Sequence, residues 1–147
     1  MLKIFFRPVL EIALNLVKAS PTQLSRLTIV FTWLYQGLFP KLIAIAPLEW
    51  QMSSSLGLTE QGTYWFIKIA GALEVCWAVM FFAFYRNNLV IALNIIALLS
   101  LVFAVALLQF ELLIEAFNPV TTNASLVVLS LIIYQDNLKA QNSAKPH

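Results

Sequence analysis

The stretch Thr63–Tyr85, TYWFIKIAGALEVCWAVMFFAFY, decides the fold. Its charges are Lys68 near one end and Glu74 near the centre. A hydrocarbon core about 30 Å thick needs about 20 helical residues to cross it, and this run supplies them. Glu74 falls about 16 Å along the helix from Thr63, close to the midplane of such a core. A carboxylate at that depth costs roughly 2.5–3.5 kcal/mol on insertion scales. A residue that expensive is a candidate functional site.

Composition agrees with a lipid solvent. Apolar residues make up 61% of the chain and charged ones 11%, against about 25% charged in an average soluble domain. A single core of 147 residues cannot hide that much apolar side chain from water. The lone cysteine, Cys76, excludes an internal disulfide and a CxxC redox pair. It is expected to pack as a small hydrophobe, on a different helix face from Glu74. The only histidine is His147 at the terminus, so this chain alone ligates neither a bis-histidine haem nor a histidine-bound zinc. No metal site and no nucleic-acid partner are expected.

Working outward, three further segments read as spans: about Ser25 to Phe39 with an extension toward Ala46, Leu89 to Phe110, and Pro119 to about Tyr134. The first and last are short and must tilt, thin the bilayer or lean on their neighbours. Arg86-Asn87-Asn88 makes a tight turn, so the second and third spans form an antiparallel hairpin. Asn118 is placed to cap the fourth span, with Pro119 at its first helical position. The polar stretch EWQMSSSLGLTEQG, Glu49 to Gly62, reads as a loop with a short interfacial helix carrying Trp50. The expected fold is all-α, a membrane four-helix bundle.

Residues 1–20 read as an amphipathic interfacial helix. Lys3, Arg7, Glu11, Asn15 and Lys18 share one stripe opposite an apolar face, and the helix stops before Pro21. The bundle is assigned to residues 21–138 and a loose tail to 139–147. With both termini on one side, that side holds Lys3, Arg7, Lys18, Arg26, Arg86, Lys139 and Lys145, leaving Lys41 and Lys68 opposite. The positive-inside bias places both termini in the cytoplasm of a multi-pass inner-membrane protein.

Polar residues on a lipid-bathed helix are expected to face the bundle interior. The stripe Ser25, Thr28, Thr32 and Gln36, with Tyr35 beside it, supplies one such face; Asn94, and Thr122, Asn123 and Ser130, supply others. Gly71 and Ala78 share the face of Glu74 and allow close helix approach. Gathered around Glu74 in the outer half, Tyr35, Gln36, Lys68, Thr122 and Asn123 describe an intramembrane pocket. The N-terminus of the fourth span, at Asn118 and Pro119, points N–H groups toward it. A carboxyl group there calls for a proton or a paired cation, and Lys41 is a better partner than Lys68, which projects from another face and can snorkel outward. The competing reading makes Glu74 a structural acid bonded to Gln36, Tyr35 or Asn123.

The segments WLYQGLFPKL (Trp33–Leu42), AGALEV (Ala70–Val75) and FNPVTTN (Phe117–Asn123) resemble the DoxX-like family of small four-helix membrane proteins, over roughly residues 24–135. Gly37, Pro40, Lys41, Glu74, Asn118, Pro119 and Asn123 match that family's recurrent positions. The family takes its name from a subunit associated with thiosulfate:quinone oxidoreductase, and other relatives are linked to redox-stress complexes. The resemblance therefore implies a lipophilic ligand such as a quinone and an accessory role beside a redox partner protein. This chain lacks the paired cysteines of a dithiol mechanism. The CxxC of vitamin K epoxide reductase, a similar four-helix pattern, is also absent. Two other readings stand beside this one. One is an isomerase or reductase with Glu74 as general acid–base and Tyr35 as second proton carrier. The other is a small proton-coupled carrier, acting as a homodimer.

Overall fold

The computed structural model describes residues 19–114 and 118–143, and those residues are helical with no strand among them. The expected interfacial helix over residues 1–20 falls almost wholly outside them, as does the end of the tail. The helices are α1 (Pro21–Gly37), α2 (Pro47–Ser54), α3 (Glu60–Phe84), α4 (Asn88–Leu108) and α5 (Pro119–Ser143).

Each long helix starts on a side chain that takes up an orphan N–H group. Ser20 and Gln23 form a reciprocal capping box ahead of α1, with Pro21 at the first helical position. Thr59 accepts from the Gly62 N–H at 3.1 Å, Asn87 from Leu89 at 2.9 Å, and Asn118 from Thr121 at 3.0 Å. The first span does run past Pro40, as a widened π-helical turn over Leu38–Ile43. Proline has no N–H to give to the Gln36 carbonyl, so the regular ladder is broken and the helix loosens there. The chain then bends by 83° into α2, which begins at Pro47 and carries Trp50 as expected.

α1, α3, α4 and α5 alternate in direction. At one end Thr22 of α1 donates to Asp136 of α5 at 2.9 Å, Arg26 donates to the Phe82 carbonyl of α3 at 2.7 Å, and Asn137 of α5 donates to the Tyr85 carbonyl and Asn88 Oδ1. The Arg26 guanidinium also lies over the rings of Phe82 and Tyr85. α1 packs on α3 and α5, and α5 packs on α4, whereas the consecutive α3 and α4 touch little. Large apolar side chains such as Phe31, Leu73, Ile96, Phe103 and Leu107 stand on the outside. An apolar exterior of that extent belongs in lipid. α3 and α4 are each long and apolar enough to cross a membrane, and the bent α1–α2 pair is a third candidate. α5, expected as the fourth span, does not meet that test by itself. Its polar side chains Asn123, Ser130 and Asn137 are buried against the other helices, so much of its polarity faces protein.

At the centre is Asn94 of α4, fully buried. Its Oδ1 accepts from the indole N–H groups of Trp33 on α1 and Trp77 on α3, each at 2.9 Å, and its Nδ2 donates to Ser130 Oγ on α5 at 3.0 Å. Ser130 passes its own proton to the Leu126 carbonyl at 2.8 Å. One amide therefore ties together all four long helices. Ile29, Phe81, Ile91, Leu98 and Ile133 pack with these tryptophans in the same core. Replacing Asn94 by Ala should strand two indole donors in an apolar core and lower stability by roughly 2–4 kcal/mol. Unfolding in detergent micelles, compared with the milder Ser130→Ala, measures it.

Candidate functional site

Nearer the other end of the bundle, α1 and α3 approach closely enough to exclude any side chain between them. A Cβ built on Gly37 would stand 2.7 Å from the Gly71 carbonyl oxygen, and one on Gly71 would stand 2.7 Å from Lys41 Cβ and 2.8 Å from the Gly37 carbonyl oxygen. Both contacts lie well inside van der Waals range. This crossing sets Lys41, on the π-helical turn, directly against Glu74 on α3. Lys41 Nζ donates to Glu74 Oε2 at 3.1 Å and forms an ion pair with Glu49 Oε1 of α2 at 3.0 Å. The three side chains are 10%, 12% and 20% exposed, for Lys41, Glu74 and Glu49. Pairing and hydrogen bonding are what make charges tolerable at such burial.

Two lobes of a cleft meet at this ion triad. The first, about 290 Å³, is bordered by polar groups on α1 and α5: Gln36, Asn118, Thr122 and Asn123. The second, about 260 Å³, lies between the separated ends of α3 and α4 and is apolar, with Phe66, Ile67, Ala70, Ala104 and Leu108 in its walls. Lys41, Glu49, Met52, Glu74 and Leu101 line both. α2 closes the end of the cleft with Glu49 and Met52, and its Gln51 donates to Gln109 at the end of α4 at 3.2 Å.

The residues expected from sequence divide clearly. Glu74, Gln36, Lys41, Asn118, Thr122 and Asn123 come together around the first lobe. Tyr35 does not join them. It is 51% exposed on the outer face of α1 and sits between the rings of Phe31 and Phe39, at 6.0 and 4.9 Å. Lys68 lines neither lobe: its Nζ donates to the Leu42 carbonyl at 2.8 Å, beside the π-helical turn, and lies near the Tyr64 ring. Thr28 and Thr32 also depart from the inward stripe. Thr28 is exposed, and Thr32 returns its hydroxyl proton to the Thr28 carbonyl at 2.9 Å. That local bond lets a threonine live on an apolar surface without an interhelical partner. The buried stripe of α1 is instead Thr22, Ser25, Ile29, Trp33 and Gly37. Asn94 lies in the core with Trp33 and Trp77, apart from Glu74. Cys76 is exposed. At the head of α5 the Thr121 N–H is taken by Asn118, and the Thr121 and Thr122 hydroxyls return to the Asn118 carbonyl. The cap is thus largely satisfied from within.

Glu49 was the missed residue. As part of a polar stretch it reads as a loop acid, although Pro47 two positions earlier is a signal for the start of the helix that carries it. Among the described residues no group of histidine, cysteine or carboxylate side chains is arranged to hold a metal ion.

An all-helical bundle with an apolar exterior and a charged, partly enclosed cleft defines a small integral membrane protein. The model of the DoxX-like family matches residues 30–131, a stretch that includes Gly37, Lys41, Gly71, Glu74 and Asn123. The chain belongs to that family. No match is found among curated proteins or among solved structures.

Lys41 holds two carboxylates, so its loss should cost more than the loss of the whole cluster. Lys41→Met is expected to destabilise the protein by about 3–5 kcal/mol. The triple change Lys41→Met, Glu49→Gln and Glu74→Gln should recover most of that in the same unfolding assay. Gly71→Ala should force α1 and α3 apart and cost about 1–3 kcal/mol.

Proposed function

We propose that this protein binds a lipophilic small molecule in the cleft beside Glu74, with its polar head at the ion triad and its tail in the apolar lobe. A quinone is the class put forward, and the role is that of an accessory subunit of a membrane redox system. The observation that carries the reading is the position of the Lys41–Glu49–Glu74 cluster at the junction of a polar and an apolar lobe. Ligand sites are mostly apolar with a few convergent polar groups, and this cleft has that division along its length. Phe66, at the wall of the apolar lobe, is exposed on the outer side of α3, which suits entry from the lipid. The redox role rests on the family resemblance. The single cysteine implies that any dithiol chemistry belongs to a partner protein.

The inner membrane is the proposed location, with both termini cytoplasmic. The asymmetry of lysine and arginine between the two ends of the bundle supports that orientation. It sets the cleft in the outer half of the bilayer. A self-contained isomerase or reductase is less well supported, because the phenol of Tyr35 stands outside the cleft and cannot share a proton with Glu74 across it.

Wild type and Glu74→Gln, purified in mild detergent and matched for size and helicity, should differ in what they carry. Extraction and mass spectrometry should find a lipophile enriched in wild type and reduced about tenfold or more in the variant, the change expected from loss of one charge-assisted contact. Identical extracts from two equally folded proteins would remove Glu74 from the site.

A further inference from the structure

Acceptors outnumber donors at the ion triad. The ammonium of Lys41 has three protons to donate; one goes to Glu74, and Glu49 lies against the same ammonium as an ion pair. Two carboxylates against one ammonium leave the cluster, with all three ionised, with one negative charge in excess. Each carboxylate can accept at more positions than Lys41 fills. The lysine that could have balanced the charge, Lys68, is committed to the Leu42 carbonyl and lines neither lobe. In a medium of low dielectric an uncompensated charge is costly.

A second observation is independent of charge. Asn123 is 5% exposed, and its side-chain amide has no hydrogen-bond partner among the described residues. It borders the polar lobe, so the amide reaches the cavity. Gln36, on the facing wall, has no side-chain partner among the described residues either. The lobe therefore offers surplus carboxylate oxygens together with amide groups able both to give and to accept.

From this arrangement we infer that the cleft selects a head group that donates hydrogen bonds, a hydroxyl or a protonated amine on an apolar tail, over one that presents only carbonyl oxygens or carries negative charge. The inference rests on the reading of the cleft as a lipophile site and adds the chemistry of the head: of a quinone couple, the cleft holds the reduced, hydroxyl-bearing form. A hydroxyl would donate to Glu74 or Glu49 and accept from Asn123. A protonated amine would bring the cluster to two positive and two negative charges. A carbonyl head can accept from Lys41 and from the Gln36 and Asn123 amides but leaves the surplus carboxylate oxygens unmatched, and an anion adds a third negative charge.

Four probes with one decyl tail separate the possibilities: decylhydroquinone, decylbenzoquinone, decylamine and undecanoate, titrated anaerobically into the protein in phosphatidylcholine nanodiscs. Partition into the lipid itself is subtracted with two variants that fill the apolar lobe from different helices, Ala70→Leu and Ala104→Phe, so that one misfolded variant does not end the test. At least one donor probe should bind about tenfold or more tightly than both decylbenzoquinone and undecanoate. Which of the two donors is favoured identifies the head. Asn123→Ala should weaken decylhydroquinone, and Glu49→Gln should weaken decylamine. Equal binding of all four probes, abolished by filling the lobe, would overturn the head-group selection and leave the cleft as a lipophile site. Binding of none, or binding that the filling variants leave unchanged, would overturn both.

Discussion

The hydrogen bonds of Asn94 set the geometry on which the remaining structure depends. A carboxamide in a lipid-bathed bundle must find partners inside the protein, because the surroundings offer none. Here it finds them on all three of the other long helices, accepting from two tryptophans and donating to a serine. Apolar side chains alone specify helix order and rotation weakly in lipid, since tails and leucines are alike in polarity. A single amide with fixed donor and acceptor ends is more discriminating. It allows one rotation of each helix about its axis, and that rotation decides which faces turn inward nearer the cleft.

Two consequences follow along α1 and α3. With Trp33 and Trp77 turned toward Asn94, Gly37 and Gly71 face each other one turn or two further on, and the backbones close to contact. The π-helical turn caused by Pro40 then carries Lys41 to the inside, opposite Glu74. On the other side α3 and α4 stay apart, and the space between them is the apolar lobe. Tight packing at one interface and separation at the next are what leave a cleft in so small a bundle. The charges then sit where a low dielectric strengthens each pairwise attraction and equally penalises each unpaired group.

Much of this was legible in the chain. The spans around Glu74 and Asn94, the turn at Arg86-Asn87-Asn88 and the cap at Asn118 each rest on local chemistry; α3 and α4 begin and end near the expected residues, whereas α5 runs past the expected end at Tyr134 to Ser143, into the segment read as a loose tail. Lys41 as the partner of Glu74 was also legible, since burial of an acid calls for a cation and Lys41 was the better placed of two. Thr28, Thr32 and Tyr35 were harder. Helical spacing puts them beside Gln36, but a threonine can return its proton to its own helix and a tyrosine can stack on neighbouring rings. Neither then needs the interior. Glu49 was hidden because its helix is short and polar, and Pro47 marks only where that helix starts; the fold of the helix back across the bundle end is set by the 83° bend after the π-helical turn.

By itself the sequence determined the solvent, the helices and the presence of a buried carboxyl group, because hydropathy and capping act over a few adjacent residues. Only the tertiary structure decided which polar groups share a space: that Asn94 is a structural centre apart from Glu74, that Lys41 serves two acids, and that Asn123 faces a cavity with its amide unmatched. Those outcomes depend on the rotation of each helix about its own axis. That rotation is set by packing at Gly37 and Gly71 and by hydrogen bonds between residues as far apart as Trp33 and Asn94, and no local pattern encodes it.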